Sequence, residues 1–242
     1  MSAEPRRIVI AIDGPAGAGK STIAREVARE LGYAYVDTGA MYRSVALLAQ
    51  ERGIALTDAS ALEALSWAVT FAFPFIDGEL HTVADGQDVS ALIRTPEAAM
   101  RASSVSAIPG VRAAMVERQR ALARDGGVVM EGRDIGTVVF PDAELKVFLT
   151  ASARVRGERR WKQLRESGDQ ETSLDSVISD IAQRDLADST RVVAPLRPAE
   201  DSVVLDTSDL HIGRVKQSLL RLAHARQGGD AGEDTTRERI DG

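Results

Sequence analysis

The 242-residue chain contains no cysteine, which excludes disulfides and thiolate metal sites and suits a reducing compartment. Its three histidines, His81, His211 and His224, are scattered without metal-ligand spacing, so no histidine-built metal centre is expected. No apolar run approaches the ~18 residues needed to cross a bilayer, and the N-terminal MSAEPRR leads into a run too short for a signal peptide. The expectation is a cytoplasmic protein with no membrane partner. A net charge of −6 argues against a general nucleic-acid binder. Lysine is scarce: only Lys20, Lys146, Lys162 and Lys216 among 30 basic residues. Asparagine is absent altogether, and there is no internal repeat.

What the chain does contain is the stretch IVIAIDGPAGAGKSTIA, from Ile8 to Ala24. Five apolar residues lead into glycines and small residues, and apolar positions then return at helical spacing (Ile23, Ala24, Val27, Ala28, Leu31). The order Gly14, Pro15, Ala16, Gly17, Ala18, Gly19, Lys20, Ser21, Thr22 has the spacing of a phosphate-binding loop between a strand and a helix. In such a loop backbone N–H groups curl around phosphate oxygens at a helix start. Lys20 would bridge the donor phosphates and the Ser21 hydroxyl would ligate Mg²⁺, implying ATP and Mg²⁺. An ordinary glycine-rich turn is the alternative, and the flanking strand and helix patterns weigh against it.

Helical segments alternate with short β-rich runs, which points to an α/β fold on a parallel sheet. The strands expected are Ile8–Ile12, Tyr33–Val36, Val128–Met130, Leu145–Leu149 and Val203–Leu205. In open α/β sheets ligands sit beyond the carboxyl ends of the strands, so the loops DGPAGAGK, DTGAMYR, EGRDIGT and TASARVR are where a site should lie. Thr95-Pro96, Pro109 and Ser173 read as helix starts, and Gly32, Gly53, Gly126 and Gly168 as stops. From Val69 to Ile93 apolar and polar residues alternate around Asp77-Gly78 and Asp85-Gly86, the pattern of a small antiparallel meander inserted into the α/β rhythm. The arginine-rich Arg154–Ser173 could be a solvated helix face. The segment 227–242 is polar and glycine-rich, and a disordered tail is expected there.

The nucleotide reading divides further. A switch GTPase needs an Asn-Lys-x-Asp guanine reader, which a chain without asparagine cannot supply. A motor or transporter ATPase would carry more chain and a run of aliphatics ending in Asp; the nearest equivalent here is GVVMEG, with Glu131 in that place. A small-molecule kinase remains, and it needs a second, cation-lined site for the acceptor.

From Arg7 to Ala225 the chain resembles the bacterial cytidylate kinase family, through IDGPAGAGKST, VDTGAMYRSVAL, DGQDVSALIRT, EGRDIGTVVFPDAELKVFLTAS, RDLADSTR and APLRPAEDSVVLDTS. The resemblance implies ATP-dependent phosphorylation of CMP and dCMP; a monomer with no nucleic-acid partner is the expectation, the latter from the net charge. It also implies a P-loop nucleoside-monophosphate kinase core over 1–66 and 99–226, with a five-stranded parallel sheet. The meander would be its monophosphate-binding insertion (67–98), and 154–190 its mobile lid. It assigns Arg43, Arg133 and Arg191 to the acceptor phosphate, where guanidinium forks suit bidentate binding. Thr38 joins the acceptor site. Arg184 and Asp188 contact the nucleotide around its sugar, with an i,i+4 ion pair as the alternative. Ser103, Arg112 and Asp134 read the base, a carboxylate attracting the cytosine amino group and repelling the uracil carbonyl; Ser104 and Ser106 lie close enough to Ser103 to compete. Asp37 either holds Mg²⁺-bound water or caps the next helix. Arg156, Arg159 and Arg160 are the lid candidates for closing over the donor and the transferring group. Glu131 departs from the Asp of many relatives, keeping the charge and lengthening its reach. The rival readings are a related P-loop kinase with another acceptor, such as shikimate or dephospho-coenzyme A, and a catalytically silent nucleotide-binding regulator.

Overall fold

In the computed structural model, which describes residues 6–76 and 79–228, the chain divides into two compact units. One comprises Met1–Tyr35 with Asp125–Gly242, the other Val36–Arg124.

The first unit is organised by a parallel sheet with strands β1 (Val9–Asp13), β2 (Ala34–Asp37), β8 (Val128–Gly132), β9 (Leu145–Thr150) and β10 (Val203–Asp206), in the spatial order β10-β9-β1-β8-β2. β2 carries the chain across the boundary at Tyr35 and Val36. Ile10, Ala11 and Ile12 of the central strand are fully buried, which is why β1 is apolar on both faces rather than alternating. All five expected strands form, and each runs on past its last apolar residue into a polar one: Asp13, Asp37, Glu131-Gly132, Thr150 and Asp206. Pairing with neighbours, such as Asp13 opposite both Gly132 and Phe148, keeps these residues extended.

Helix α1 (Lys20–Leu31) buries Ile23, Ala24, Val27 and Ala28 and ends on left-handed Gly32. It packs on β8 and on α8 (Ile212–Gln227). Helices α6 (Ala153–Glu166) and α7 (Leu174–Thr190) pack against each other, capped by the hydroxyls of Ser152 and Ser173. The expected stripe on α7 is real: Val177 and Ile181 are buried, Leu174 and Ile178 half-buried. Gly157 of α6 lies so close to α7 that a Cβ there would sit 2.4 Å from Ile178 Cγ1. The indole of Trp161 donates to Thr172 O at 3.1 Å, and Arg165 stacks 4.9 Å over its ring.

The second unit holds α2 (Thr38–Glu51), α3 (Ala59–Ala68), α4 (Pro96–Ser106) and α5 (Pro109–Leu122), with short strands between α3 and α4. Proline opens both α4 and α5, as the sequence indicated, and Thr95 caps α4. Arg118 of α5 donates to the carbonyls of Ser66 and Trp67, closing the end of α3. The meander resolves into two small sheets rather than one. Strands β3 (Phe71–Ala72), β6 (Val83–Ala84) and β7 (Gln87–Asp88) form an antiparallel sheet, while β4 (Phe75–Ile76) and β5 (Glu79–Leu80) pair separately. Asp85 and Gly86 both have positive φ, 48° and 79°, as a two-residue hairpin of this hand requires. Asp77-Gly78 and the segment 229–242 lie outside the described residues, whereas Gln227 is still helical. No helix among the described residues is long and apolar enough to cross a membrane.

Candidate active site

Between β1 and α1 the chain passes from the sheet's carboxyl edge into a helix start. Gly14 adopts φ 146°, and a Cβ there would stand 2.0 Å from the Leu149 carbonyl oxygen, so no larger residue fits against β9. Gly19 takes the N-cap position of α1 in the left-handed region, φ 90°, and no side chain caps the helix. Its first-turn N–H groups therefore face the loop without a capping oxygen. The loop's own carbonyls are turned to the protein: Ala16 O accepts from Arg156 at 3.2 Å and Ala18 O from Thr207 at 3.1 Å. A helix start with no capping side chain, reached through a glycine loop, suits an anion.

Lys20, buried, donates from Nζ to Pro15 O at 2.8 Å. Burial, with Arg133 and Arg184 nearby, lowers its ammonium to about 7, against the pull of Glu131 and Asp13. Three basic side chains, Lys20, Arg133 and Arg184, thus lie near one another beside the glycine loop. Ser21 and Thr22 are exposed at the helix start. Among the described residues no three carboxylate, histidine or cysteine side chains cluster as a metal cage. The donor set here, one hydroxyl beside a phosphate cradle, fits a Mg²⁺ that takes most of its ligands from phosphate and water.

The second loop follows β8. Arg133 Nε pairs with Asp188 Oδ2 of α7 at 3.0 Å, and its Nη1 donates to Gly132 O. Glu131 accepts a hydrogen bond from the Tyr35 hydroxyl. The chain then makes a π-helical turn, Ile135–Val139, whose N-cap residue is Asp134. Asp13 Oδ1 accepts from Ile135 N at 2.8 Å and Oδ2 from Gly136 N at 2.7 Å. Burial pushes the Asp13 carboxyl up to about 6, with Asp134 adding to the rise, while the two amides and Lys20 oppose it.

Along α6, Arg156 is buried, donating to Ala151 O and Ala16 O and pairing with Asp185 Oδ2 of α7 at 2.6 Å. Arg159 grips Thr207 through both its carbonyl, at 2.6 Å, and its hydroxyl. Arg160 Nη1 donates to Gln163 Oε1 at 3.5 Å. The first two arginines thus bind α6 to the phosphate loop and to β10's end. The Arg191 guanidinium donates to Ala194 O.

In the second unit, Asp37 is the N-cap of α2: Oδ1 accepts from Ala40 N at 3.0 Å, and Oδ2 pairs with Arg43 Nη2 at 2.8 Å. The buried Nε of Arg43 has no hydrogen-bond partner among the described residues. Thr38 is buried at the start of α2. Buried Arg112 lies 6.0 Å over the Tyr42 ring and donates to Ser106 O at 3.4 Å. Ser103 is half-buried on α4, its carbonyl taken by the Ser106 hydroxyl.

The structure therefore gathers Lys20, Arg133, Arg184 and Asp188 in one unit, and Asp37, Arg43 and Arg112 in the other. Asp13, Asp185 and Thr207 escaped the sequence reading. Asp13 alone carried a signal, as a charged residue ending a buried strand.

Residues 10–225 match the family model described as cytidylate kinase. The chain belongs to the cytidylate kinase family. It is 49% identical over 222 residues to the cytidylate kinase of Syntrophotalea carbinolica, a match covering 92% of this chain and 94% of that one. Against the cytidylate kinase of Geobacter sulfurreducens it is 47% identical over 228 residues, 94% and 97% of the two chains. It is also 51% identical over 220 residues to the bifunctional pantoate ligase/cytidylate kinase of Synechococcus sp. (strain JA-3-3Ab), spanning 41% of that longer protein.

Proposed function

We propose that the protein transfers the γ-phosphoryl group of ATP to CMP and dCMP, giving ADP with CDP or dCDP. The observation that carries this reading is the buried Lys20, its ammonium pushed down beside Arg133 and Arg184 at the mouth of an uncapped glycine loop.

In the reaction the bond between the γ-phosphorus and its bridging oxygen to the β-phosphate breaks. A bond forms from the γ-phosphorus to a phosphate oxygen of the nucleoside monophosphate. The acceptor oxygen is already anionic at neutral pH, so no strong base is required, and alignment and charge neutralisation remain as the protein's task. The backbone N–H groups of the loop from Gly14 to Thr22, Pro15 excepted, cradle the donor phosphates while Lys20 spans them. Mg²⁺, held through Ser21 and through water on Asp37, would neutralise phosphate charge. Arg43, Arg133 and Arg191 hold the acceptor phosphate; Thr38, Arg184 and Asp188 complete its nucleotide site. Arg112, Ser103 and Asp134 select the base. Arg160 is poised to reach the transferring group, whereas Arg156 and Arg159 must exchange carbonyl partners for phosphate to do so. Closure over the site excludes water and suppresses ATP hydrolysis.

A coupled ADP-release assay across CMP, dCMP, UMP, AMP and shikimate tests this, with CMP and dCMP expected to lead and EDTA to abolish turnover. Faster conversion of a non-nucleotide acceptor overturns it. In the same assay Asp134→Asn should lower kcat/KM for CMP by roughly 10- to 100-fold and for UMP by only a few-fold, because the carboxylate discriminates at the exocyclic amine.

A further inference from the structure

We propose that Asp13 is a positioning residue whose carboxylate, at the end of β1, holds the Arg133–Asp134 loop in place and keeps Asp134 from capping its own helical turn. The inference rests on the phosphoryl-transfer reading above. Aspartate at an N-cap position ordinarily folds its side chain back onto the N–H groups ahead of it. Asp134 occupies that position for the turn Ile135–Val139 and makes no such bond. The two leading amides, of Ile135 and Gly136, are instead accepted by Asp13, at 2.8 and 2.7 Å, from 122 and 123 residues away. One buried carboxylate thereby fastens the loop after β8 to the residue that opens the phosphate loop, and the base-reading carboxylate is left out of the cap.

The arrangement is paid for by burying a charge. Asp13 is 5% exposed, and burial raises its carboxyl to about 6. The charged groups around it are Lys20 from α1, Asp134 from the loop, and Lys146 from β9, whose stem lies beside Gly136. Asparagine at position 13 would keep the shape but present one oxygen and one amino group to two N–H donors. One amide would lose its acceptor, and the loop that carries Asp134 would shift.

The test compares wild type, Asp13→Asn, Asp134→Asn and the double variant, with CMP and UMP as acceptors and ATP affinity measured separately. Asp13→Asn should lower kcat/KM for CMP by roughly 10- to 100-fold, as expected of a displaced reacting group. ATP affinity should change less than threefold, and the preference for CMP over UMP should fall. Added to Asp134→Asn, it should cost that preference nothing further. The ratio of wild-type to Asp13→Asn activity should shrink as pH drops from 8 through about 6, because protonation removes the same double acceptor; titration of the acceptor phosphate cancels in the ratio. The sign for stability is opposite. A carboxyl raised on folding favours the folded state below its unfolded value and loses that contribution as pH rises through the folded value. The uncharged variant should therefore melt within a few degrees of wild type at pH 7.5. A purely structural cap predicts a lower melting temperature and equal losses on both acceptors, which would overturn the proposal, as would unchanged CMP kinetics. If Asp13→Asn does not fold, Gly136→Ala serves: its Cβ would press Lys146 Cγ and Cδ at 3.3 Å and Asp13 Oδ2 at 3.4 Å with the carboxylate retained. It should reduce CMP preference with ATP affinity intact, and an unchanged preference refutes the idea. Wild type inactive on CMP would instead refute the parent reading.

Discussion

Lys20 is the residue whose chemistry changes most when the site fills. Empty, it is buried beside two guanidinium groups and titrates near 7; with a polyphosphate in the cradle, opposite charge returns its pKa toward the ordinary lysine range. With its ammonium held low by burial, Lys20 should take up a proton from solution as ATP binds at pH 8. Calorimetric titration of ATP in buffers of different ionisation enthalpy reads this directly. Identical apparent enthalpies in all buffers at pH 8 would refute it. Lys20 and its glycines were legible because loop, lysine and helix are contiguous in sequence, so one spacing carries the whole motif. Asp185 and Thr207 were not, since their meaning lies in partners 29 and 48 residues away across the fold. Asp37 shows the intermediate case. Capping of the following helix, one of its two sequence readings, is present in the structure, and its pairing with Arg43 six residues on was not foreseen.

At the scale of elements, the α6–α7 pair depends on the missing side chain of Gly157. In an open helix, glycine to alanine stabilises by about 1 kcal/mol. Here the new methyl would meet Ile178 at 2.4 Å, and forcing extra volume into a packed contact costs ~1–3 kcal/mol. Gly157→Ala should therefore be destabilising in urea unfolding, and a stabilised variant would mean that the two helices part readily. The strands were legible from apolar runs, and helix starts from Thr95, Pro96, Pro109 and Ser173, because these signals are local. The split of the meander into two sheets was not: with strands of two residues each, alternation fixes no partner, and pairing is decided by turns such as Asp85-Gly86 and by the bonds from Thr70 to Asp85.

At the scale of the whole molecule, the proposed labour is divided between the units: the phosphate cradle with Lys20 belongs to one, Arg43 and Arg112 to the other. Arg112→Ala should raise the KM for CMP by roughly 10- to 100-fold, the effect of losing a charged partner of a bound nucleotide, while ATP affinity stays within threefold. Steady-state kinetics with a parallel ATP titration separates the two, and comparable losses in both would argue against the division. The chain's two tryptophans fall on either side of the same divide, Trp67 at the end of α3 and Trp161 on α6. Each unit thus carries a single indole. With Trp67 replaced by phenylalanine, the remaining emission comes from one ring under the Arg165 guanidinium, a built-in optical channel through which events at α6 can be timed without attaching a dye.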